Sequence, residues 1–313
     1  MRIFGTNSRL PPEEARILSI MQDPGPGEAK APVSIPSPLQ SVGLVLAALA
    51  VLLVGYQVFS GVVGGFLLSP EDQATLADHE HSVLLHRPLW IVLGSVVPEL
   101  GLGAAIWWFV ARRGLPRDVV FPLVVPKPVV WAGALALALG FAPLADLAYL
   151  GVQKIDALNH AWVGSDELLA RTLEDAGPLR LLGTIVGLAI VPAVVEEALF
   201  RGVITAAHAQ SFVAALLAPT ILFGLFHLEP AQAAGTMVLG LAFALARLFS
   251  GSLLTAIFAH AAYNSYAILW ARFAPEAQTQ APSLATTTLG LAAAGCGLLL
   301  LAMGRRASDE AES

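Results

Sequence analysis

Long apolar runs separated by short polar interruptions dominate this chain. Eight stretches, at 40–68, 89–111, 128–150, 179–206, 211–228, 231–249, 251–271 and 284–303, hold about the 20 mostly apolar residues that a membrane-crossing helix needs. The first, LVLAALAVLLVGYQVFSGVVGGFLL, and the last, LGLAAAGCGLLLLAMG, are the clearest. Only Ser250-Gly251-Ser252 separates the sixth from the seventh, so the chain must reverse there into an antiparallel helical hairpin. Two connections are longer. Residues 69–88 are polar, and residues 151–178 mix apolar side chains with charges. The run Asp166-Glu167-Leu168-Leu169-Ala170-Arg171-Thr172-Leu173 predicts a surface or interfacial helix. No internal repeat is visible. The pattern predicts an all-α fold, a polytopic transmembrane helical bundle of about eight spanning helices.

Composition supports this. The chain has 313 residues, 56% hydrophobic and only 13% charged, with mean hydropathy +0.72. Soluble domains carry about 25% charged residues, so a globule of this size would lack polar surface to cover it. Lipid accepts an apolar surface, and membrane lipid is therefore an expected partner. The net charge of −6 argues against a nucleic-acid partner. The single cysteine, Cys296, excludes an internal disulfide and a cysteine zinc cluster; flanked by Gly295 and Gly297, it is expected to suit close helix packing. Residues 1–38 combine charges with seven prolines (Pro11, Pro12, Pro24, Pro26, Pro32, Pro36 and Pro38) and no apolar core, and read as a flexible tail without a cleavable signal peptide. Basic residues set the expected orientation. Arg112, Arg113, Arg117 and Lys127 follow the second stretch, Arg305 and Arg306 end the eighth, and Arg2, Arg9, Arg16 and Lys30 lie in the tail. With an even number of spans all three groups fall on one side, which places both termini in the cytoplasm, in a plasma (inner) membrane.

Ionisable residues inside membrane helices cost a few kcal/mol on insertion scales, about 2.5–3.5 for a charged residue at the centre, so each needs a reason. The fourth stretch holds Glu196, Glu197 and Arg201, the fifth His227, and the seventh His260 and Asn264. Glu99 and Asp146 are the other carboxylates within the runs, and Arg247 lies near the end of the sixth. At about 1.5 Å per residue, Glu196 lies about 20 Å from the turn near residue 209, and His227 about 27 Å beyond it. His260 and Asn264 lie about 14 and 20 Å from Gly251. These groups can share one slab of the bilayer if both turns lie on the same side. Glu197 and Arg201 are four apart and share a helix face, which leaves Glu196 about 100° round the helix. Phe223 and His227, and His260 and Asn264, show the same spacing.

Taken singly, each has a structural explanation: a packing salt bridge for Glu197–Arg201, a hydrogen-bonded histidine, an interhelical amide at Asn264. Their complementary chemistry at one depth indicates a site instead. Glu196-Glu197-Ala198-Leu199-Phe200-Arg201, Phe223-Gly224-Leu225-Phe226-His227 and His260-Ala261-Ala262-Tyr263-Asn264 occur in that order. In this the chain resembles the CPBP family, which includes type II CAAX prenyl endopeptidases and bacteriocin-processing enzymes and is also called Abi. The resemblance covers roughly 125–272. The expected organisation is therefore a tail (1–38), N-terminal transmembrane helices (39–124), a CPBP/CAAX protease-like transmembrane domain (125–272), and a final helix with a polar end (273–313).

The resemblance implies intramembrane endoproteolysis of a membrane-associated peptide or lipidated protein substrate, one of CAAX type among the possibilities. It implies that Glu196 is the general base, helped by His227, while His260 and Asn264 stabilise the oxyanion; Glu197, Arg201 and Phe223 support them. A second mechanism stays open, with Glu196, His227 and His260 binding a divalent metal such as zinc, since two nitrogens and a carboxylate leave a position for water. The residues also leave open a non-catalytic membrane scaffold or transporter component that keeps the cluster for structure. Neither inverted repeats nor matched broken helices, the transporter signs, are visible. His79, His81 and His86 read as a solvated loop, His208 as a membrane-surface residue, and Glu99, beside Pro98, as a kink or polar contact without an assigned function.

Overall fold

The computed structural model describes residues 36–67, 88–155, 176–274 and 280–312, together with Leu169 and Leu173. The tail up to residue 35, the connection bearing His79, His81 and His86, and most of the expected interfacial helix lie outside the described residues. Among the described residues there are helices and no strands. They are α1 (Pro38–Leu67), α2 (Pro88–Arg113), α3 (Arg117–Val120), α4 (Pro128–Gln153), α5 (Pro178–Ala207), α6 (Phe212–Phe226), α7 (Pro230–Ser250), α8 (Leu253–Phe273) and α9 (Leu284–Glu312). Eight of these follow the eight apolar stretches. The four-residue α3 had no apolar signal, and α9 runs past the expected end at 303.

Six helices (α1, α2, α4, α5, α7 and α9) are long and apolar enough to cross a membrane. The remaining two differ for separate reasons. α6 has 15 residues, about 22 Å of helix. α8 has 21 residues but carries His260, Asn264, Ser265 and Arg272. The outer surface is apolar, as lipid requires: Leu46, Trp108 and Leu289 are 61%, 66% and 71% exposed. The chain is thus a multi-pass membrane protein built as a helical bundle.

α4 packs against α7, α8 and α9, and α5 packs against α2, α6 and α8. Small residues bring α4 and α9 together. A Cβ on Gly140 would lie 2.6 Å from the Gly290 carbonyl, and one on Gly297 would lie 2.7 Å from the Gly133 carbonyl. Without a hydrophobic force between helices in lipid, such close approach supplies the packing. Cys296 takes no part in it. The expectation of close packing is corrected, because the thiol is exposed while its neighbour Gly297 faces α4.

The hairpin at 250–252 forms as expected. Gly251 takes φ +72, the left-handed conformation that glycine adopts most readily. Ser252 caps α8 by accepting from the Leu254 amide at 3.2 Å and donates to the Val124 carbonyl at 2.5 Å. The α5–α6 turn lies at the same end, since Phe212 meets Phe249 edge-on at 6.5 Å. Both turns therefore sit on one side of the bundle, the condition for the polar residues to meet.

Candidate functional site

α5 carries the carboxylates, and its backbone is irregular around them. Two wide turns of π-helix, Val186–Ile190 and Ala198–Ile204, flank Val191–Glu197. Pro192 lacks the N–H that would bond one regular turn back, and the first wide turn accommodates that loss. Such π segments inside α-helices are frequent at functional sites. The Thr205 hydroxyl donates to the Phe200 carbonyl at 3.0 Å, five residues back.

Arg201 and Glu197 are fully buried and paired, Nη1 to Oε1 at 2.8 Å. Arg201 Nη2 donates to the Gly240 carbonyl of α7 at 2.7 Å. The guanidinium also lies over the Phe223 ring, 4.6 Å from its centroid. Gly240 allows this approach: a Cβ there would sit 3.0 Å from the Phe223 ring and 3.2 Å from Arg201 Nη2. A buried charge whose partner is removed costs about 3–5 kcal/mol, and here the partners are an anion, a carbonyl and an aromatic face.

His260, from α8, completes the group. Its Nδ1 lies 2.9 Å from Glu197 Oε1, the same oxygen that Arg201 holds. A carboxylate accepts only, so Nδ1 carries the proton. Nε2 then faces Glu196 Oε2 at 3.9 Å. The ring stacks on Phe243, with centroids 4.7 Å apart and planes at 15°, and meets Phe223 edge-on at 5.5 Å. These contacts hold the imidazole from two sides. Glu196 is 7% exposed, and its Oε2 is buried with no hydrogen-bond partner among the described residues.

His227 is not inside α6, as the 211–228 stretch implied, but caps its C-terminal end. Its Nδ1 donates to the Phe223 carbonyl at 3.0 Å, because a carbonyl can only accept. That leaves Nε2 as an acceptor. The next residue, Leu228, has φ +60, the left-handed region that bulky side chains seldom adopt, so the chain turns sharply straight after the histidine. Asn264 is half-buried one turn beyond His260 and makes no side-chain hydrogen bond to a described residue. Phe223 is the common wall, in edge-on contact with both His227 and His260. His208 is buried and turns Nδ1 to the Ile204 carbonyl at 2.9 Å.

The structure thus brings Glu196, Glu197, Arg201 and His260 together, with His227 joined to them through Phe223. For zinc the donor types of Glu196, His227 and His260 are suitable, but no three His, Cys, Asp or Glu side chains among the described residues converge as metal ligands. Three contributors had no motif to reveal them. Gly240 and Phe243 are an ordinary glycine and phenylalanine in an apolar helix. Glu99 stood alone on α2, yet it is buried on a helix that packs against α5.

A lipid-exposed helical bundle closed around buried carboxylates, an arginine and two histidines defines a membrane protein with an internal ionisable site. Residues 178–266 match the family model described as Type II CAAX prenyl endopeptidase Rce1-like, the family the three motifs resemble. The match runs from the start of α5 into α8 and includes all seven motif residues. No curated protein and no solved structure matches the chain. The matched family is one of endopeptidases, and the chain is similar to it over 89 of its 313 residues.

Proposed function

We propose that the protein is an intramembrane endopeptidase that hydrolyses a peptide bond of a membrane-associated, lipidated CAAX-type substrate through a water activated by Glu196. The observation that carries this is the division of labour between adjacent carboxylates. Arg201 and His260 occupy Glu197, whereas Glu196 presents a buried oxygen that accepts no hydrogen bond from a described residue and has His260 Nε2 only at 3.9 Å.

The chemistry follows from these positions. Glu196 takes a proton from water as the oxygen attacks the carbonyl carbon, and His227 Nε2 serves as a second acceptor. His260 carrying its Nε2 proton, with the Glu197 carboxylate on Nδ1 to stabilise the charged ring, donates to the oxyanion, and the free Asn264 amide is a second donor. The proton held at Glu196 then passes to the leaving nitrogen as the carbon–nitrogen bond breaks, giving a carboxylic acid and an amine. The cytoplasmic side, from which lipidated chains approach, is the side the basic residues mark, and both termini are assigned there.

The test is cleavage of fluorogenic lipidated peptides by purified protein in liposomes, with products identified by mass spectrometry and with or without a zinc chelator. Cleavage that survives chelation supports the glutamate mechanism. Loss on chelation, restored by zinc, assigns Glu196, His227 and His260 as ligands instead. A folded protein that cleaves neither lipidated nor plain membrane peptides supports a scaffold.

A further inference from the structure

Wide turns are rare inside α-helices, so each of the two in α5 asks for a cause. Pro192 supplies one for the first. The second, Ala198–Ile204, contains no proline; it follows directly on the two carboxylates and includes Arg201. The residue that closes it is Thr205. Its backbone N–H bonds the Phe200 carbonyl, five residues back, and the Gly202 carbonyl. Its hydroxyl donates to the same Phe200 carbonyl at 3.0 Å. In a regular helix a threonine hydroxyl bonds the carbonyl three or four residues back. Thr184, Thr220 and Thr236 do so here, on the carbonyls of Arg180, Leu216 and Gln232. At Thr205 the partner is one residue further, so the bond forms only while the turn stays wide. Thr205 and Phe200 are both buried.

The turn stands between two sets of contacts. Before it, Glu197 is held by Arg201 and His260, and Val195 lies against α2, 3.3 Å from where a Cβ on Gly103 would be. After it, the last residues of α5 pack on α3 and α6. Within it, a Cβ on Gly202 would lie 3.0 Å from the Phe121 ring and from the Val120 carbonyl. A wide turn uses one residue more than a regular one, and each helical residue rotates the chain by about 100°. With the end of α5 fixed, a return to regular turns would swing Glu196 and Glu197 about 100° round the axis and away from His260. Phe200 is a second link. Its ring meets Phe223 edge-on at 5.2 Å and Phe226 at 5.3 Å, and Phe223 is the wall that Arg201, His227 and His260 share.

We propose that Thr205 is a positioning residue: its hydroxyl locks the wide turn and so sets the rotation at which α5 presents Glu196 to the site. The inference rests on Glu196 being the base proposed above. Thr205 lies outside the three motifs. The role is one hydrogen bond to the Phe200 carbonyl, so a side chain that keeps the hydroxyl retains it and a near-isosteric apolar one does not.

Two measurements test it. In the first, on lipidated peptide in liposomes, Thr205→Val is expected to lower kcat by about fivefold or more with KM within about twofold, while Thr205→Ser keeps at least about half of kcat. If Thr205→Val cleaves at the wild-type rate, or if folded Thr205→Ser falls as far as Thr205→Val, the proposal is overturned. The second needs no activity and so separates this proposal from the protease reading. In a Cys296→Ala background, Gly103→Cys and Val195→Cys lie within disulfide reach across the α2–α5 interface. The rate at which a mild oxidant joins them reads the rotation of the segment that carries Glu196. Adding Thr205→Val is expected to slow this by about threefold or more, and adding Thr205→Ser to leave it unchanged. Equal rates with and without Thr205→Val mean that the hydroxyl does not set the rotation. Slowed oxidation in a protein that cleaves no peptide upholds the lock and overturns the protease reading alone.

Discussion

At the residue scale the site depends on which carboxylate is committed and which is free. Glu197 accepts from both Arg201 and His260 through one oxygen, so it orients and neutralises. Arg201→Met is expected to destabilise the protein by about 3–5 kcal/mol, because it leaves Glu197 buried without its cation. The double variant Glu197→Gln/Arg201→Met should cost clearly less than the sum of the single ones, as coupled buried groups do. Denaturation in detergent measures all three, and strict additivity would show that the pair is not coupled. Phe243 stacks on His260 at 4.7 Å and also faces the Arg201 guanidinium, 5.6 Å from the ring centroid. Phe243→Leu keeps most of the volume and gives up the ring contact, worth about 0.5–1.5 kcal/mol. Its expected signature is a fall in kcat larger than the loss of thermal stability explains; an unchanged kcat would show that the stack does not position the imidazole.

At the element scale the helices act as carriers that bring distant residues to one level. Gly240 is where α7 admits Arg201 from α5, and Gly240→Val places carbon within 3.2 Å of Arg201 Nη2 and 3.0 Å of the Phe223 ring. The variant is expected to lose activity as fully as Arg201→Met does, and Gly240→Ala to lie between it and wild type, measured as cleavage rate at matched folded fraction. A wild-type rate for Gly240→Val would mean that α7 yields there. Helix existence was legible from apolar runs alone: eight of the nine helices among the described residues lie on the predicted stretches, because lipid demands long apolar segments. The end of α6 was not, since Phe-His-Leu continues an apolar run and only the backbone turn at Leu228 reveals the stop. α3 was invisible for the opposite reason, being too short to show a period. The site's motif residues could be read from spacing and from the cost of placing charge in lipid. The Glu197–Arg201 pair was legible too, from its four-residue spacing, but the second partner of Glu197, His260, was not, because only packing brings α8 to that carboxylate.

At the scale of the whole molecule the bundle is an inverted globule, apolar outside and ionisable within. Charge should therefore be tolerated inside, where it is paired, and not on the lipid face. Leu53 is 57% exposed on α1, and Leu53→Arg is expected to cost about 2.5–3.5 kcal/mol of insertion, whereas Leu53→Ala should be well tolerated. Membrane-inserted yield compares them, and equal yields would mean that this face of α1 is covered by protein instead of lipid. The match to a protease family starts at residue 178 and stops at 266, so α1, α2, α4 and α9 lie outside it. They pack through small residues between α4 and α9 and leave α2 beside the carboxylate-bearing turns of α5. The most direct test of the central claim is the rate at which wild type and Glu196→Gln cleave the same lipidated peptide in liposomes. The account predicts folded Glu196→Gln protein whose rate falls by about 10²–10⁴-fold, the contribution of a general base, while substrate binding persists. Cleavage by Glu196→Gln at the wild-type rate would contradict it.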